Sequence, residues 1–270
     1  GVPITQTNLG VFRPLTGTPF FLGYRRAGSF LGTYFRGGLD EFALYSRALS
    51  AAEIQAIVTA DAGGKCLPPP ACAPPTFNLV AWWRGESNAL DQVGGNHGVV
   101  TQTVSFTNGA VGKAFQFSTG VIRVGANSNL NVGLYGGLTL EGWVKTVGTG
   151  MQPLIEWNSG TGTQGVALAT ASTLALQANV MDNDGFSHLI NSPQRILTNG
   201  LWQHIALTYD RASGVAVIYC GGLKVAQTNF GSFRPRTGYD LFLGYRPVGA
   251  YSGSGVKYTG ALDEISLYSR

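Results

Sequence analysis

Apolar residues recur at every second position in short runs set off by Gly, Asn and Asp. The runs occupy 138–145, 165–170, 173–180, 202–209, 214–220, 223–229, 240–245 and 261–268. A period of two places successive side chains on opposite faces of a strand. Many short strands separated by turn residues predict an antiparallel two-sheet sandwich or jelly roll. In 138–145, Leu138, Leu140 and Val144 share one side, leaving Thr139, Glu141, Trp143 and Lys145 opposite. In 202–209, Ile205, Leu207 and Tyr209 share one side and Trp202, His204, Ala206 and Thr208 the other. The aliphatic sides predict the core, and the mixed sides predict a half-solvated sheet. Trp82-Trp83 straddles the first strand, so one of its rings belongs to the core, as does Trp157 after a strand-like Leu-Ile-Glu. Only 50–59 reads as helix.

The chain also repeats itself. Residues 6–25 and 227–246 are identical at 14 of 20 positions at an offset of 221, and the match resumes between 37–47 and 260–270 at an offset of 223. Two extra residues in 247–259 account for the change of offset. Residues 1–62 therefore read as the last third of one repeat and 78–270 as nearly all of the next. The first copy continues into ALSAAEIQAI, where Ser50 and Glu53 have the spacing of a helix-capping box. The second copy stops at Arg270, before such a helix, and the chain reads as a window cut from a longer array. Between the copies, 63–77 is a proline-rich linker in which Cys66 and Cys72 bracket an extended path. In an oxidising compartment those two would form a disulfide; the alternative is two free thiols. Cys220, at the end of a strand, reads as a buried free thiol.

Composition narrows the function classes. The apolar fraction is 44%, ample for a core, while only 12% of residues are charged. The net charge of +4 is carried mostly by single arginines beside turns, which argues against nucleic-acid binding. No apolar run is long enough to span a membrane.

The segments NLVAWWRGE (78–86), VGGNHG (93–98), VGKAFQF (111–117), LTLEGWVKT (138–146), LWQHIALTYD (201–210) and the two LDE-x-x-LYSR stretches together resemble laminin-G-like modules of the concanavalin A-like lectin/glucanase superfamily. The family's C-terminal signature, G-x-(L/I)-D-E-V-x-(I/L)-Y-x-R-A-L-S-x-x-E-I, is matched over Gly37–Ile54 except that Phe42 stands where Val is common. One departure is Gly221-Gly222 where an Asp-Gly hairpin is usual; both pairs tolerate the positive φ of a type I′ turn. The resemblance implies a jelly roll, secretion to the extracellular space or cell surface, frequent calcium binding, and recognition of glycans or proteins.

Enzymatic chemistry is not expected. Glycoside hydrolysis needs two carboxyl groups facing across the bond, whereas adjacent Asp263 and Glu264 alternate on a strand. The Glu-x-Asp-x-x-Glu strand of glucanases of this fold is missing, as are a nucleophile elbow and a phosphate loop. A structural Ca2+ ion is a candidate instead: hard cations take six to eight oxygens, and Glu86, Asp91 and Asn96 in the polar loop 86–96 supply them. Asp263 is read as heading the inward side of its strand, where it would join that loop at an ion, bond Arg246 or cap a turn. For a ligand, Trp143, His204, Glu141 and Lys145 form the best sugar-facing constellation, an indole that stacks on a pyranose beside polar groups; the alternative is that they simply cover the sheet. The expected function is a non-catalytic extracellular tandem repeat for adhesion or for glycan or protein binding, with neighbouring copies of itself as partners and strand complementation as the route to fibres. The competing expectation is a carbohydrate-binding accessory module of a secreted glycoside hydrolase.

Overall fold

The computed structural model describes residues 4–25, 32–40, 42–60, 77–101, 103–247 and 255–270. Cys66 and Cys72 lie outside the described residues. The chain divides into two units, Gly1–Ala73 and Pro74–Arg270.

Among the described residues of unit 1, β1 (Tyr24–Arg25) pairs with β2 (Thr33–Tyr34), and α1 spans Ala51–Ala60. The helix starts where its capping residues demand. The Ser50 N–H donates to Glu53 Oε2 at 2.8 Å while the Glu53 N–H returns a bond to Ser50 Oγ at 3.3 Å, satisfying two donors that a helix start leaves orphaned. Arg47 clamps the same carboxylate at 2.6 Å. Most large apolar side chains of this unit are exposed, among them Phe12, Phe20, Leu22, Phe42 and Leu44.

Unit 2 is a two-sheet antiparallel sandwich. Its strands are β3 (Leu79–Trp83), β4 (Gly98–Val100), β5 (Val104–Asn108), β6 (Lys113–Phe117), β7 (Ile122–Val124) and β8 (Gly137–Thr146). There follow β9 (Gln152–Asn158), β10 (Gln164–Ala171), β11 (Ala175–Asn179), β12 (Leu189–Asn191), β13 (Gln203–Asp210) and β14 (Val215–Cys220). The last are β15 (Leu223–Asn229), β16 (Asp240–Leu243), β17 (Tyr245–Arg246), β18 (Val256–Lys257) and β19 (Gly260–Tyr268). One sheet runs β12-β11-β10-β9-β16-β7-β4 and the other β15-β14-β13-β8-β19-β6-β5, with β3 also on β19. The long strands match the alternating runs except β9, which is buried at nearly every position and so does not alternate, while β4 to β7 are too short and irregular for the pattern to mark. The Gly221-Gly222 hairpin between β14 and β15 has both residues at positive φ, 57° and 77°, as a type I′ turn requires.

The core lies between the sheets. Leu138, Leu140, Val144, Ile205, Leu207 and Tyr209 fill it from one sheet, and Ile155, Trp157, Leu241 and Leu243 from the other. Trp83 is the buried ring of the Trp82-Trp83 pair and Trp157 is also fully buried. Cys220 is a free thiol, half-buried at the end of β14, and burial pushes its pKa up.

One face assignment is corrected. Alternation put Asp263 on the inward side with Ile265 and Leu267. In the structure Asp263 pairs with Trp143 and Ser266 with Glu141, so two residues of β19 oppose the single residue Gly142. Glu264 takes φ of 53° in this bulge, which shifts the parity of the strand. The bulge falls where the neighbour of β19 changes from β6, along Gly260–Leu262, to β3, along Ile265–Tyr268.

Candidate functional site

Trp143, Glu141 and His204 come together on the outer face of the eight-stranded sheet. β8 and β13 set Trp143 opposite His204 and Glu141 opposite Ala206. His204 Nε2 and Glu141 Oε2 are 2.7 Å apart, and the Trp143 and His204 rings meet edge to face at 5.4 Å. Tyr268 Oη donates to the other Glu141 oxygen at 3.4 Å. Lys145 lies on the same face, two residues along β8. Further across, Trp82 Nε1 donates to Glu264 at 2.8 Å, and Arg84 both pairs with Glu264 at 3.3 Å and sits over the Trp82 ring at 5.3 Å. His204 and Glu141 thus bond to each other across the sheet surface, with Trp143 packed against the imidazole.

The four residues expected to hold calcium form two separate groups. Asp91 is buried, and its Oδ1 accepts from the N–H groups of Trp82 and Val93 at 2.9 and 3.0 Å. Its Oδ2 accepts from the N–H groups of Gly94 and Asn96 and from Asn96 Nδ2 at 3.0, 2.9 and 2.9 Å. Burial is the largest single influence on Asp91 and opposes its ionisation, but these donors together outweigh it and hold the pKa below the usual value. The loop is thus wound around a carboxylate, and it seats Trp83 by accepting its indole N–H at the Asn96 carbonyl, at 2.8 Å.

Glu86 and Asp263 belong instead to the turn between β5 and β6. Glu86 accepts from the Lys113 N–H at 3.3 Å and pairs with Arg84 at 3.6 Å. Asp263 is fully buried; its Oδ2 accepts from the Val111 N–H at 2.9 Å while its Oδ1 has no partner. Burial pushes this carboxyl up, the Val111 N–H pulls against it and the Glu264 charge adds to the rise, leaving it at about 6. Of the alternatives to an ion, the turn cap is the one formed, while Arg246 bonds Glu156 instead. Among the described residues no three of His, Cys, Asp or Glu converge so as to hold a metal ion. With the Asp91 oxygens committed to N–H donors, the residues present do not fit the calcium site that was expected of them.

A cleft of about 560 Å³ opens on the outer side of the seven-stranded sheet. Register places Arg123, Phe242 and Glu156 side by side on β7, β16 and β9, while the alternate residues Ile122, Leu241, Leu243 and Trp157 are in the core. The cleft is lined by Arg123, Phe242, Tyr245 and Lys257 together with the threonines 101 and 103. Tyr245 meets Phe242 edge to face at 5.8 Å. The Arg123 guanidinium is fixed by Asp240, Nη2 to Oδ2 at 2.6 Å, and Lys257 makes no ion pair among the described residues. Beside the cleft, Glu156 is fully buried between Arg246 at 2.5 Å and Asn158 at 2.9 Å. The sequence pattern did not single out these residues. They come from strands more than a hundred positions apart, and the one local signal was a lone Glu in the apolar run LIEW.

A family model described as Laminin_G_3, of the concanavalin A-like lectin/glucanases superfamily, matches residues 1–55 and 118–270. No curated protein matches the chain by sequence. Among solved structures, domain 4 of AbnA, a GH43 extracellular arabinanase from Geobacillus stearothermophilus, in complex with arabinotriose, is similar at a TM-score of 0.52 and 18% identity, covering 71% of this chain and 92% of that one. The binding domain of Paraclostridial Mosquitocidal Protein 1 is similar at 0.54 and 18%, covering 72% of this chain and 49% of that one. A botulinum neurotoxin serotype D/C binding domain gives 0.53 and 14%, with coverages of 72% and 49%. The chain thus spans about half the length of the toxin domains. At such identities these likenesses speak for the fold.

Proposed function

The chain belongs to the concanavalin A-like lectin/glucanase superfamily, and on that premise we propose that it is a non-catalytic, secreted binding module that holds an oligosaccharide in the cleft of its seven-stranded sheet. The observation that carries this reading is the lining of the cleft. A phenol and a phenyl ring at 5.8 Å supply apolar faces for a sugar ring, and threonine hydroxyls, Arg123 and Lys257 supply donors for its oxygens. Lys257, which makes no ion pair among the described residues, favours a glycan that carries a carboxylate. The arabinanase domain with its bound arabinotriose supports the class of ligand. The buried carboxylate nearest the cleft, Glu156, is held by Arg246 and Asn158 and so is poorly placed for acid–base work.

The test is a glycan array followed by titration calorimetry on the best neutral and uronate-bearing oligosaccharides. Tyr245→Ala should weaken binding by about tenfold or more with little change in melting temperature, and Lys257→Gln should weaken the uronate ligand selectively. If binding survives both changes but is lost in Trp143→Ala, the ligand sits on the eight-stranded sheet. If no glycan binds, the reading fails.

A further inference from the structure

The described residues between 4 and 60 hold the local backbone of a sandwich segment while exposing the side that such a segment buries. β1 pairs with β2 through Tyr24↔Tyr34 and Arg25↔Thr33, and β17 pairs with β18 through Tyr245↔Lys257 and Arg246↔Val256. By the repeat offsets each of these positions is the equivalent of the other. The Phe35 N–H donates to the Gly23 carbonyl at 2.9 Å, as the Tyr258 N–H does to that of Gly244 at 2.9 Å. Gly23 and Gly244 take φ of 68° and 70°, and Gly37 and Gly260 take 149° and 144°, a region open to glycine and closed to most other residues.

Burial runs the other way. Leu241, Leu243 and Leu267 of unit 2 are 0% exposed, while their equivalents Phe20, Leu22 and Leu44 are 72%, 55% and 88% exposed. In unit 2 these side chains are covered by the strands that precede them. β15 lies on β14, β16 between β9 and β7, and β19 on β8, β6 and β3. The partner surface for this sequence is therefore already defined: it is the strand set β3–β14.

The ends of the segment fit that role from either side of the chain. The Ser269 N–H donates to the Asn78 carbonyl at 3.0 Å, so the exit of β19 lies beside the entry to β3. The equivalent of Arg270 is Arg47, and the 30 residues 48–77 separate it from Asn78. That is far more chain than a gap of a few ångströms needs. Unit 1, the linker and β3–β14 thus have the order of a circularly permuted unit 2.

We propose that unit 1 is a second closing piece for the strand set β3–β14, competing with β15–β19 and seating Leu22, Leu39, Phe42 and Leu44 where Leu243, Leu262, Ile265 and Leu267 now sit. In the intact chain β15–β19 win because the two-residue Gly221-Gly222 turn joins them to β14, a far shorter closure than the linker allows. A unit whose own closing piece is displaced takes the copy from unit 1, of its own chain or of a neighbour; closure by a neighbour joins copies head to tail. The proposal is independent of any glycan.

The test uses the full chain. Leu262→Asp with Leu267→Asp disables β19. The doubly substituted chain should keep a cooperative melt and the near-ultraviolet dichroism of buried Trp83 and Trp157, and amides of residues 39–45 should exchange on the order of 100-fold more slowly than in the parent. Adding Leu39→Asp and Leu44→Asp should abolish the melt, whereas those two alone should leave unit 2 intact. The milder pair Leu262→Ala and Leu267→Ala should give a smaller slowing at the same amides. Sedimentation then reads whether the replacement came from the same molecule. The proposal is overturned if the first variant unfolds as fully as the fourfold one, or if it stays folded without slower exchange at 39–45.

Discussion

Arg246 donates through Nε to Oε2 of Glu156 at 2.5 Å, and Glu156 is wholly buried on the middle strand of the seven-stranded sheet. Burial raises the Glu156 pKa and the Arg246 charge opposes that rise. Arg246→Met leaves a buried carboxyl with Asn158 alone, and should cost about 3 kcal/mol of unit 2 stability. With the pKa in the fold raised further above 4.5, the folded state holds its proton where the unfolded state has lost it, so stability falls as pH rises through that value. Urea melts at about pH 5 and about pH 8 should diverge more for this variant than for the parent, and Glu156→Gln in the same background should remove the extra divergence.

Asp263 gives a second pH signature. Its pKa rises from 3.8 to about 6 on folding, so its contribution to stability is fully present below pH 3.8 and declines as pH rises to about 6. Asp263→Asn retains an acceptor for the Val111 N–H and has no charge to bury. Its melting temperature relative to the parent should climb between those two pH values. A constant difference across the range would show that the carboxyl titrates normally.

Equivalent leucines in the two units should differ in cost. Leu243→Ala removes a fully buried side chain and should destabilise unit 2 by about 3 kcal/mol. Leu22→Ala, at the matching position of unit 1, should leave the unit 2 melt unchanged. The comparison needs only two chemical denaturation curves.

The start of α1 is set by a reciprocal pair. The Arg47 side chain and the Ser50 N–H hold the Glu53 pKa down at about 2, so the helix keeps this support above pH 4.5 and loses it as pH falls through about 2. Ser50→Ala should weaken the helix by about 1 kcal/mol, read as faster amide exchange over residues 53–57.

Much of the fold was legible because it rests on side-chain alternation, which a sequence displays directly. Leu138, Leu140, Ile205 and Leu207 fall on the core side as their spacing implies. The capping box at Ser50 and Glu53 was legible for the same reason, since both partners lie within one turn. The bulge at Glu264 was not, because a positive φ at a non-glycine residue leaves no mark in the pattern, and one inserted residue moved Asp263 to the other parity. The polar loop misled differently. Asp91 looks the same in sequence whether its oxygens face a cation or backbone N–H groups, and here they face the N–H groups of its own loop. The cleft was illegible because Arg123 and Phe242 meet through the order of the seven-stranded sheet, and Lys257 joins them from the separate β17-β18 pair.

The bond from the Ser269 N–H to the Asn78 carbonyl has a mechanical side. The first and last strands of unit 2 are antiparallel neighbours whose free ends meet. Tension applied at those ends pulls across their hydrogen bonds and breaks them one at a time, as a zipper opens, instead of loading all of them in shear. A sandwich connected in this way is expected to yield at low force when pulled from those two ends, and to lengthen in steps as successive strand pairs open.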